Sequence, residues 1–431
     1  MNEYDSNRIY DLAKKINYIK SESLEDADCY VLNTCHIREK ATDKVYHDVG
    51  RVKKSFKDKK KPIVIVTGCV AQAEGEILLN KEKYIDAVIG PQSYHLFNKT
   101  LLRIESGNDR LNSTNFDVIE KFDKFNLIKN SSSNISSFLT IQEGCDKFCK
   151  FCVVPYTRGP EFSRSFDELQ RETKDLVNNG SREITLLGQN VNAYNSEGKK
   201  LSNLIRELSK IKNLKRIRYT TSHPKDFTQD LIEAHKEIDK LMPIIHLPVQ
   251  SGSDKILQEM NRKHTVKSYL ETVERLRKAN SHIEFSSDFI IGYPGETADD
   301  FQKTIKLLEE VGFINSYSYL FSPRPGTPAA KMNEVDHDIA KERLIIFQEV
   351  ANKIKLKYRK ELYNKKCLVL FENRVRQEDE FFGRDEFSNS VIVKSEENLN
   401  GQIKEIKISG CNQNTLFGEL MQKKDKKDFA A

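Results

Sequence analysis

The chain has 431 residues, which at roughly 150 residues per domain accommodates about three domains. Lys plus Arg number 70 against 64 Asp plus Glu, a net charge of +6, with 38% hydrophobic and 31% charged residues; that balance excludes wholesale disorder and tolerates a polyanionic partner without demanding one. No apolar run reaches the roughly 18 residues of a membrane span, and the opening Met-Asn-Glu-Tyr-Asp-Ser is not a signal peptide, so the expectation is a cytoplasmic protein whose eight cysteines are metal or redox groups rather than disulfides.

In chain order, residues 5–20 read as a helix. Residues 28–33 and 62–67 are apolar runs of strand length with a basic helical segment between them, so a small parallel α/β domain is predicted over residues 1–115. Residues 130–137, Asn-Ser-Ser-Ser-Asn-Ile-Ser-Ser, read as a linker. The pattern then becomes regular. Strands are predicted at 138–142, 183–188, 216–221, 244–249, 285–292 and 316–321, with helices between them at 166–178, 202–211, 266–280 and 299–311. Six β/α units predict a partial (β/α)6 barrel over residues 131–365, with function on the loops after the strands. A long helix at 336–363, charged on one side, leads into short strands at 367–372, 390–393 and 403–409. These predict a small all-β domain over residues 366–424, followed by a charged, fraying tail at 423–431. The expected fold class is α/β with a C-terminal small β-barrel.

The strongest chemical signal is Cys145-x-x-x-Cys149-x-x-Cys152, directly after the first strand of the barrel-like region. Three thiolates in eight residues can hold three irons of a cubane [4Fe–4S] cluster and leave the fourth iron open. A structural zinc ion requires a fourth ligand, and the next histidine downstream is His223. Three buried structural thiols are disfavoured, because Asp146, Lys147 and Lys150 make the loop polar.

This motif, followed by a β/α region, resembles the radical S-adenosylmethionine superfamily. The resemblance implies S-adenosylmethionine on the open iron, one-electron cleavage to a 5′-deoxyadenosyl radical, and hydrogen abstraction from an unactivated carbon. Two more cysteines stand at strand–loop–helix junctions: Cys35 in Leu-Asn-Thr-Cys-His-Ile-Arg-Glu-Lys-Ala and Cys69 in Val-Thr-Gly-Cys-Val-Ala-Gln-Ala-Glu-Gly. With them, segments 1–9, 33–41, 68–75, 155–164, 187–194, 246–253, 289–297 and 322–330 resemble the methylthiotransferase family of that superfamily. His-Ile-Arg-Glu-Lys at 36–40 and Gln-Ala-Glu-Gly at 72–75 favour its tRNA-modifying branch over the branch that acts on a ribosomal protein.

The resemblance implies two [4Fe–4S] clusters, one on Cys145, Cys149 and Cys152 and an auxiliary one on three cysteines that include Cys35 and Cys69. The family's third auxiliary cysteine sits in a Gly-Cys-Gln directly before the Met-Asn that opens this sequence, so that ligand and its strand are missing here. Cys29, inside an apolar run, reads as a core residue. The implied reaction places a methylthio group on C2 of an isopentenylated adenosine beside the tRNA anticodon, by a monomeric enzyme with a flavodoxin-type electron donor. Two alternatives remain open at this stage: a methylthiotransferase acting on a ribosomal protein, and a non-catalytic iron–sulfur RNA-binding protein if the third auxiliary cysteine is absent.

Polar strand ends supply a candidate S-adenosylmethionine pocket: Gln189 and Asn190, Ser222 with its neighbour His223, Gln250, and the glycines Gly292 and Gly295. For Asn190 a simple helix cap is an equal alternative. Arg158 and Arg164 could reach substrate phosphate or the cofactor carboxylate, or form a structural ion pair with Glu161. Residues 51–61 carry seven basic side chains and one acid, a solvated helix end with phosphate contact as the rarer reading. The C-terminal β region resembles the TRAM domain, an RNA-binding barrel. Residues 366–424 hold nine Lys/Arg and ten Asp/Glu, so RNA contact there would depend on Arg374, Arg376 and Arg384 rather than bulk charge. Cys367 and Cys411 read as core.

Overall fold

The computed structural model describes residues 1–35, 41–107, 110–114, 134–375 and 379–421. The stretch 36–40, the first half of the linker (130–133), Arg376 and the tail lie outside the described residues.

The first apolar runs form a parallel sheet. Strands β1 (Cys29–Thr34), β2 (Ile63–Gly68), β3 (Ala87–Ile89) and β4 (Leu111–Ser113) lie in the order β1-β2-β3-β4. The Ile-Val-Ile-Val run of β2 is buried because helices cover both faces, as continuous apolar strands require. Helix α1 (Asn2–Lys14) packs with α4 (Phe97–Glu105) on one side, whereas α2 (Ala41–Ser55) and α3 (Cys69–Lys81) cover the other. The helix expected at 5–20 therefore starts and ends earlier. It stops because Asn17 takes a left-handed φ of 67° and the Tyr18 N–H closes back on the Ala13 carbonyl. Cys29 packs against the α1–α4 core, as expected.

The second unit strings six parallel strands in chain order: β5 (Ser136–Thr140), β6 (Glu183–Leu187), β7 (Arg216–Tyr219), β8 (Ile244–His246), β9 (Glu284–Ile291) and β10 (Asn315–Leu320). Ladders join β5-β6-β7 and β8-β9-β10, and a bridge between Ile217 and Leu241 links the halves. Among the described residues β5 and β10 do not pair, so the barrel is open on one side. Helices α6 (Phe166–Asn178), α7 (Leu201–Ser209), α8 (Gln229–Glu237), α10 (Val266–Ala279) and α11 (Ala298–Val311) pack outside it around a core that includes Leu139, Ile184, Ile217, Phe285 and Phe289. Two short helices, α5 (Val154–Thr157) and α9 (Asp254–Glu259), sit in the loops. The strands at 216–221 and 244–249 end sooner than expected, since Thr221 and Gln250 turn to φ 66° and 79°. Ser136 and Ser137 are already strand, so the linker ends before them.

Helix α12 (His337–Glu361) leads to a closed five-stranded barrel. Its strands are β11 (Lys366–Arg374), β12 (Glu380–Arg384), β13 (Ser390–Lys394), β14 (Ile403–Cys411) and β15 (Thr415–Leu420), in the order β11-β12-β13-β15-β14. Cys367 and Cys411 pack on its core. No helix among the described residues is long and apolar enough to cross a membrane.

Candidate functional site

The loop carrying Cys145, Cys149 and Cys152 leaves the barrel where function was expected, beyond the carboxyl end of β5. A two-residue ladder of Gln142–Glu143 with Phe162–Ser163 closes its neck. The Cys145 N–H donates to the Gly159 carbonyl at 3.1 Å. Gly144 has φ 74°, and a Cβ there would lie 1.8 Å from the Pro160 carbonyl oxygen, so only glycine fits. Further along, the Lys150 N–H donates to the Met260 carbonyl at 3.0 Å and Asn261 Nδ2 to the Phe148 carbonyl at 2.9 Å, tying the loop to α9.

All three thiols are free of disulfides. Burial pushes Cys145 up to about 11 and Cys152 to about 12, an unfavourable setting for thiolates that a bound cation offsets. Among the described residues no three His, Cys, Asp or Glu side chains converge on one ion. Tetrahedral zinc needs such convergence, whereas a cubane gives each cysteine its own iron. Three cysteines on one loop fit a cubane, which takes one thiolate per iron.

Beside this loop, buried polar atoms that make no protein hydrogen bond lie just after β6 and β7, Asn190 Oδ1, Ser222 Oγ and His223 Nε2, and in the connection between α9 and α10, Arg262 Nε and His264 Nε2. Such atoms offer partners to a polar ligand or to water. Arg262 joins them to the cluster loop, with Nη1 3.7 Å from Cys149 Sγ and Nη2 donating to the Pro248 carbonyl. His223 Nδ1 accepts the Lys225 N–H at 3.2 Å, so its proton sits on Nε2. His264 Nδ1 lies 3.1 Å from the Arg262 carbonyl and must donate, which leaves Nε2 as a lone-pair acceptor. The rings are 5.7 Å apart, edge to face. Burial holds both neutral, pushing His264 down to about 3 and His223 lower still. Phe148, Thr221, Gln250, Asn261 and Lys263 all take left-handed φ here without being glycine, the kind of strain that gathers at functional sites.

The other expected pocket residues divide. Gln189 is engaged: its N–H donates to Gln142 Oε1, its Oε1 accepts the Gly144 N–H at 2.8 Å, and its Nε2 donates to Met1 Sδ, so it holds the cluster loop in place. Asn190 caps no helix; its Nδ2 donates to Asp226 Oδ2 at 2.7 Å and Glu161 Oε1 at 3.1 Å. Gly292 needs its missing side chain for packing, since a Cβ would lie 2.6 Å from Ala340 Cβ on α12, while Gly295 faces open space. Gln250 lies at the end of β8 next to β9. Arg262 and His264 were not singled out from the sequence, because Asn-Arg-Lys-His at 261–264 looks like any solvated basic loop.

Arg158 and Arg164 do not pair with Glu161, which instead accepts from Asn190 and lies 3.9 Å from Lys147 Nζ. Arg164 Nη2 meets Glu172 at 2.7 Å and its Nη1 donates to Tyr4 OH on α1. Arg158 reaches Asp5 Oδ2 at 3.0 Å and Glu143 Oε1 at 3.4 Å, and its Nε lies 3.4 Å from Cys69 Sγ. The β1–β2 register pairs Thr34 with Gly68, so Cys35 and Cys69 are the next residues at the carboxyl ends of neighbouring strands. A buried guanidinium from the stretch after the Cys145–Cys152 loop therefore touches Cys69, one of these two cysteines. Cys29 lies at the far end of β1, where burial pushes its thiol up to about 12.

Residues 139–308 match the Radical SAM superfamily, and residues 1–90 match the Uncharacterized protein family UPF0004. The chain is 57% identical to the tRNA-2-methylthio-N(6)-dimethylallyladenosine synthase of Pelagibacter ubique (strain HTCC1062), over 99% of this chain and 97% of that protein. It is 47% identical to the enzyme of the same name from Ruegeria pomeroyi, over 97% and 96%, and 45% identical to that of Wolbachia pipientis subsp. Culex pipiens, over 97% of each. Among solved structures it is similar to the radical S-adenosylmethionine methyltransferase TsrM from Kitasatospora setae, with a TM-score of 0.56 and 12% identity over 76% of this chain and 74% of that one, a likeness of fold alone.

Proposed function

The chain belongs to the family of the tRNA-2-methylthio-N(6)-dimethylallyladenosine synthases, and on that premise we propose that it adds a methylthio group to C2 of N6-isopentenyladenosine next to the anticodon of tRNA. The observation that carries the reading is that Arg158, in the stretch just after the Cys145–Cys152 loop whose Gly159 carbonyl accepts the Cys145 N–H, lies 3.4 Å from Cys69 Sγ, since the reaction needs a radical generator and a sulfur donor side by side. Cys145, Cys149 and Cys152 hold the cluster that binds S-adenosylmethionine, and Cys35 and Cys69 serve an auxiliary cluster. A [4Fe–4S] cluster with an open iron supplies one-electron cleavage of S-adenosylmethionine to a hydrogen-abstracting radical.

The remaining work belongs to side chains. Asn190, Ser222, His223, Arg262 and His264 offer their unpaired polar atoms to the sulfonium nucleoside, and Gly295 lets backbone approach it. Two neutral histidines, one a donor and one an acceptor, orient a polar ligand without taking a proton from it. The small C-terminal barrel contributes Arg374 and Arg384 to RNA. Each lies over a phenylalanine of β12, Phe381 at 5.0 Å and Phe382 at 5.2 Å respectively, and Arg384 also pairs with Glu372. A flavodoxin-type protein delivers the electron, and the enzyme works as a monomer.

The relatives do not favour a ribosomal-protein substrate or a non-catalytic role. The test is mass analysis of hydrolysed tRNA from a bacterium that makes isopentenyladenosine but lacks the methylthio group. Expression of this chain should produce the 2-methylthio nucleoside, and the Cys149→Ala variant should not. Isopentenyladenosine left unchanged by the wild-type chain overturns the reading.

A further inference from the structure

Arg262 is 5% exposed. Its Nη1 lies 3.7 Å from Cys149 Sγ, its Nη2 donates to the Pro248 carbonyl and its Nε is unpaired, so among the described residues no carboxylate answers its charge. The buried arginines that follow the cluster loop differ: Arg158 faces Asp5 and Glu143, and Arg164 faces Glu172. A buried cation without a counter-ion is costly, so the place suits an anion. The fold also fixes the approach to Cys149, itself buried. On one side of that cysteine the Phe148 carbonyl accepts from Asn261 Nδ2, and on the other the Lys150 N–H donates to the Met260 carbonyl. Asn261 and Lys263 take left-handed φ of 60° and 58°, and between them the Arg262 N–H donates to the Leu257 carbonyl at 2.9 Å. This turn buries Arg262 and leaves its neighbour Lys263 exposed. The imidazoles of His223 and His264 stay neutral beside it and add no charge of their own.

Resting on the reading of a cubane held by Cys145, Cys149 and Cys152, we propose that Arg262 is the counter-ion of that cluster and raises its reduction potential through the Cys149 sulfur. Three thiolates around the oxidised [4Fe–4S] core leave one net negative charge. Uptake of one electron from a protein donor makes it two, and no bond forms or breaks. A fixed cation therefore favours the reduced form over the oxidised one, and a hydrogen bond to a ligand sulfur acts in the same direction. The buried setting strengthens the effect, since little water screens it. Arg262 is thus a positioning residue that acts through Cys149, and it acts before any sulfonium nucleoside is bound.

The test is a dithionite titration of the anaerobic, cluster-loaded full chain without S-adenosylmethionine. The midpoint is read from the electron paramagnetic resonance signal that Cys149→Ala abolishes. Arg262→Gln should make reduction at least tenfold less favourable, a negative shift of about 59 mV for one electron. Arg262→Lys, which keeps the charge on a different head group, should shift it less. Lys263→Gln removes an exposed cation next in the chain and should change the equilibrium less than threefold, about 28 mV. A change below threefold in Arg262→Gln protein of wild-type iron content overturns the proposal, as does an equal shift in Lys263→Gln. If the Arg262 variants fail to load, wild-type protein labelled with nitrogen-15 arginine decides: electron–nuclear double resonance on the same signal should show a nitrogen-15 coupling, and its absence overturns the proposal. A wild-type chain that takes up no iron removes the cluster reading and the proposal together, whereas a loaded cluster indifferent to Arg262 removes the proposal alone.

Discussion

Arg158 is 2% exposed, and the carboxylates of Asp5 and Glu143 that flank it are fully buried. These two carboxylates and the Cys69 sulfur raise its already high basicity despite burial, so the group stays charged. Desolvating three ions is costly, and the arrangement persists only while all of them are present. Arg158→Met should therefore destabilise the chain by about 3–5 kcal/mol in urea unfolding, because it removes the cation that two buried carboxylates face. Adding Glu143→Gln should restore part of that loss, a non-additivity of about 1–3 kcal/mol that a double-mutant cycle measures. At the same scale, His223→Leu should weaken binding of S-adenosylhomocysteine about tenfold in calorimetry, the worth of one hydrogen bond from Nε2. His223→Gln, which keeps an amide donor, should lose less. Cys145, Cys149 and Cys152 were legible in the sequence as a closely spaced trio on one loop. Arg262 and His264 were not, since an unpaired buried atom exists only once the fold has surrounded it.

At the scale of elements, the long amphipathic helices and apolar strands were readable from their periodicity; α6 (Phe166–Asn178) falls where its pattern placed it. What escaped were short strands whose partners are distant. Strand β3 has three residues, and β12 places Phe381, Phe382 and Gly383 among acids and an arginine, so neither shows a clean alternation. Ladders to neighbours on both sides make them strands: β3 between β2 and β4, and β12 between β11 and β13 of the small barrel. A tertiary contact of the same kind makes α8 sensitive to pH. His235 on its inner face lies 2.6 Å from Tyr219 OH of β7 and is buried. Burial lowers its pKa to about 3, against about 6.5 in an unfolded chain. Above pH 6.5 the residue is neutral in both states and contributes no slope. As pH falls below 6.5 only the unfolded chain takes the proton, so stability drops by about 1.4 kcal/mol per unit until pH 3. Between pH 7.5 and 5.5, His235→Gln should lose about 1.4 kcal/mol less than the wild type in urea titrations; parallel losses would show that the histidine is protonated in the folded state.

Across the whole molecule, buried arginines hold the units together. Arg158 and Arg164 join α1 to the cluster loop and α6. At the other seam, Arg216 and Arg218 project from β7 into the C-terminal barrel. Arg216 donates to the carbonyls of Arg384 at 2.8 Å and Leu368 at 2.6 Å, and Arg218 to those of Glu386 at 2.8 Å and Asp385 at 2.7 Å. Arg218 Nε also binds Glu183 at 2.9 Å, which anchors the pair in the barrel sheet. All four carbonyls belong to main chain, so these bonds fix the small barrel's orientation through its backbone. A charge-assisted hydrogen bond contributes about 1.5–3 kcal/mol, and four of them outweigh what a linker helix alone can impose. The double variant Arg216→Met/Arg218→Met should keep both units folded and release the barrel. Limited proteolysis should then cut at the Leu362–Lys366 turn at least tenfold faster, and small-angle scattering should show a larger radius of gyration. Affinity for an anticodon stem-loop should fall while S-adenosylhomocysteine binding stays unchanged, because none of the residues placed in the S-adenosylmethionine site belongs to the small barrel. Cleavage as slow as in the wild type would transfer the docking to Arg359 of α12, which donates to the Asn412 and Asn414 carbonyls.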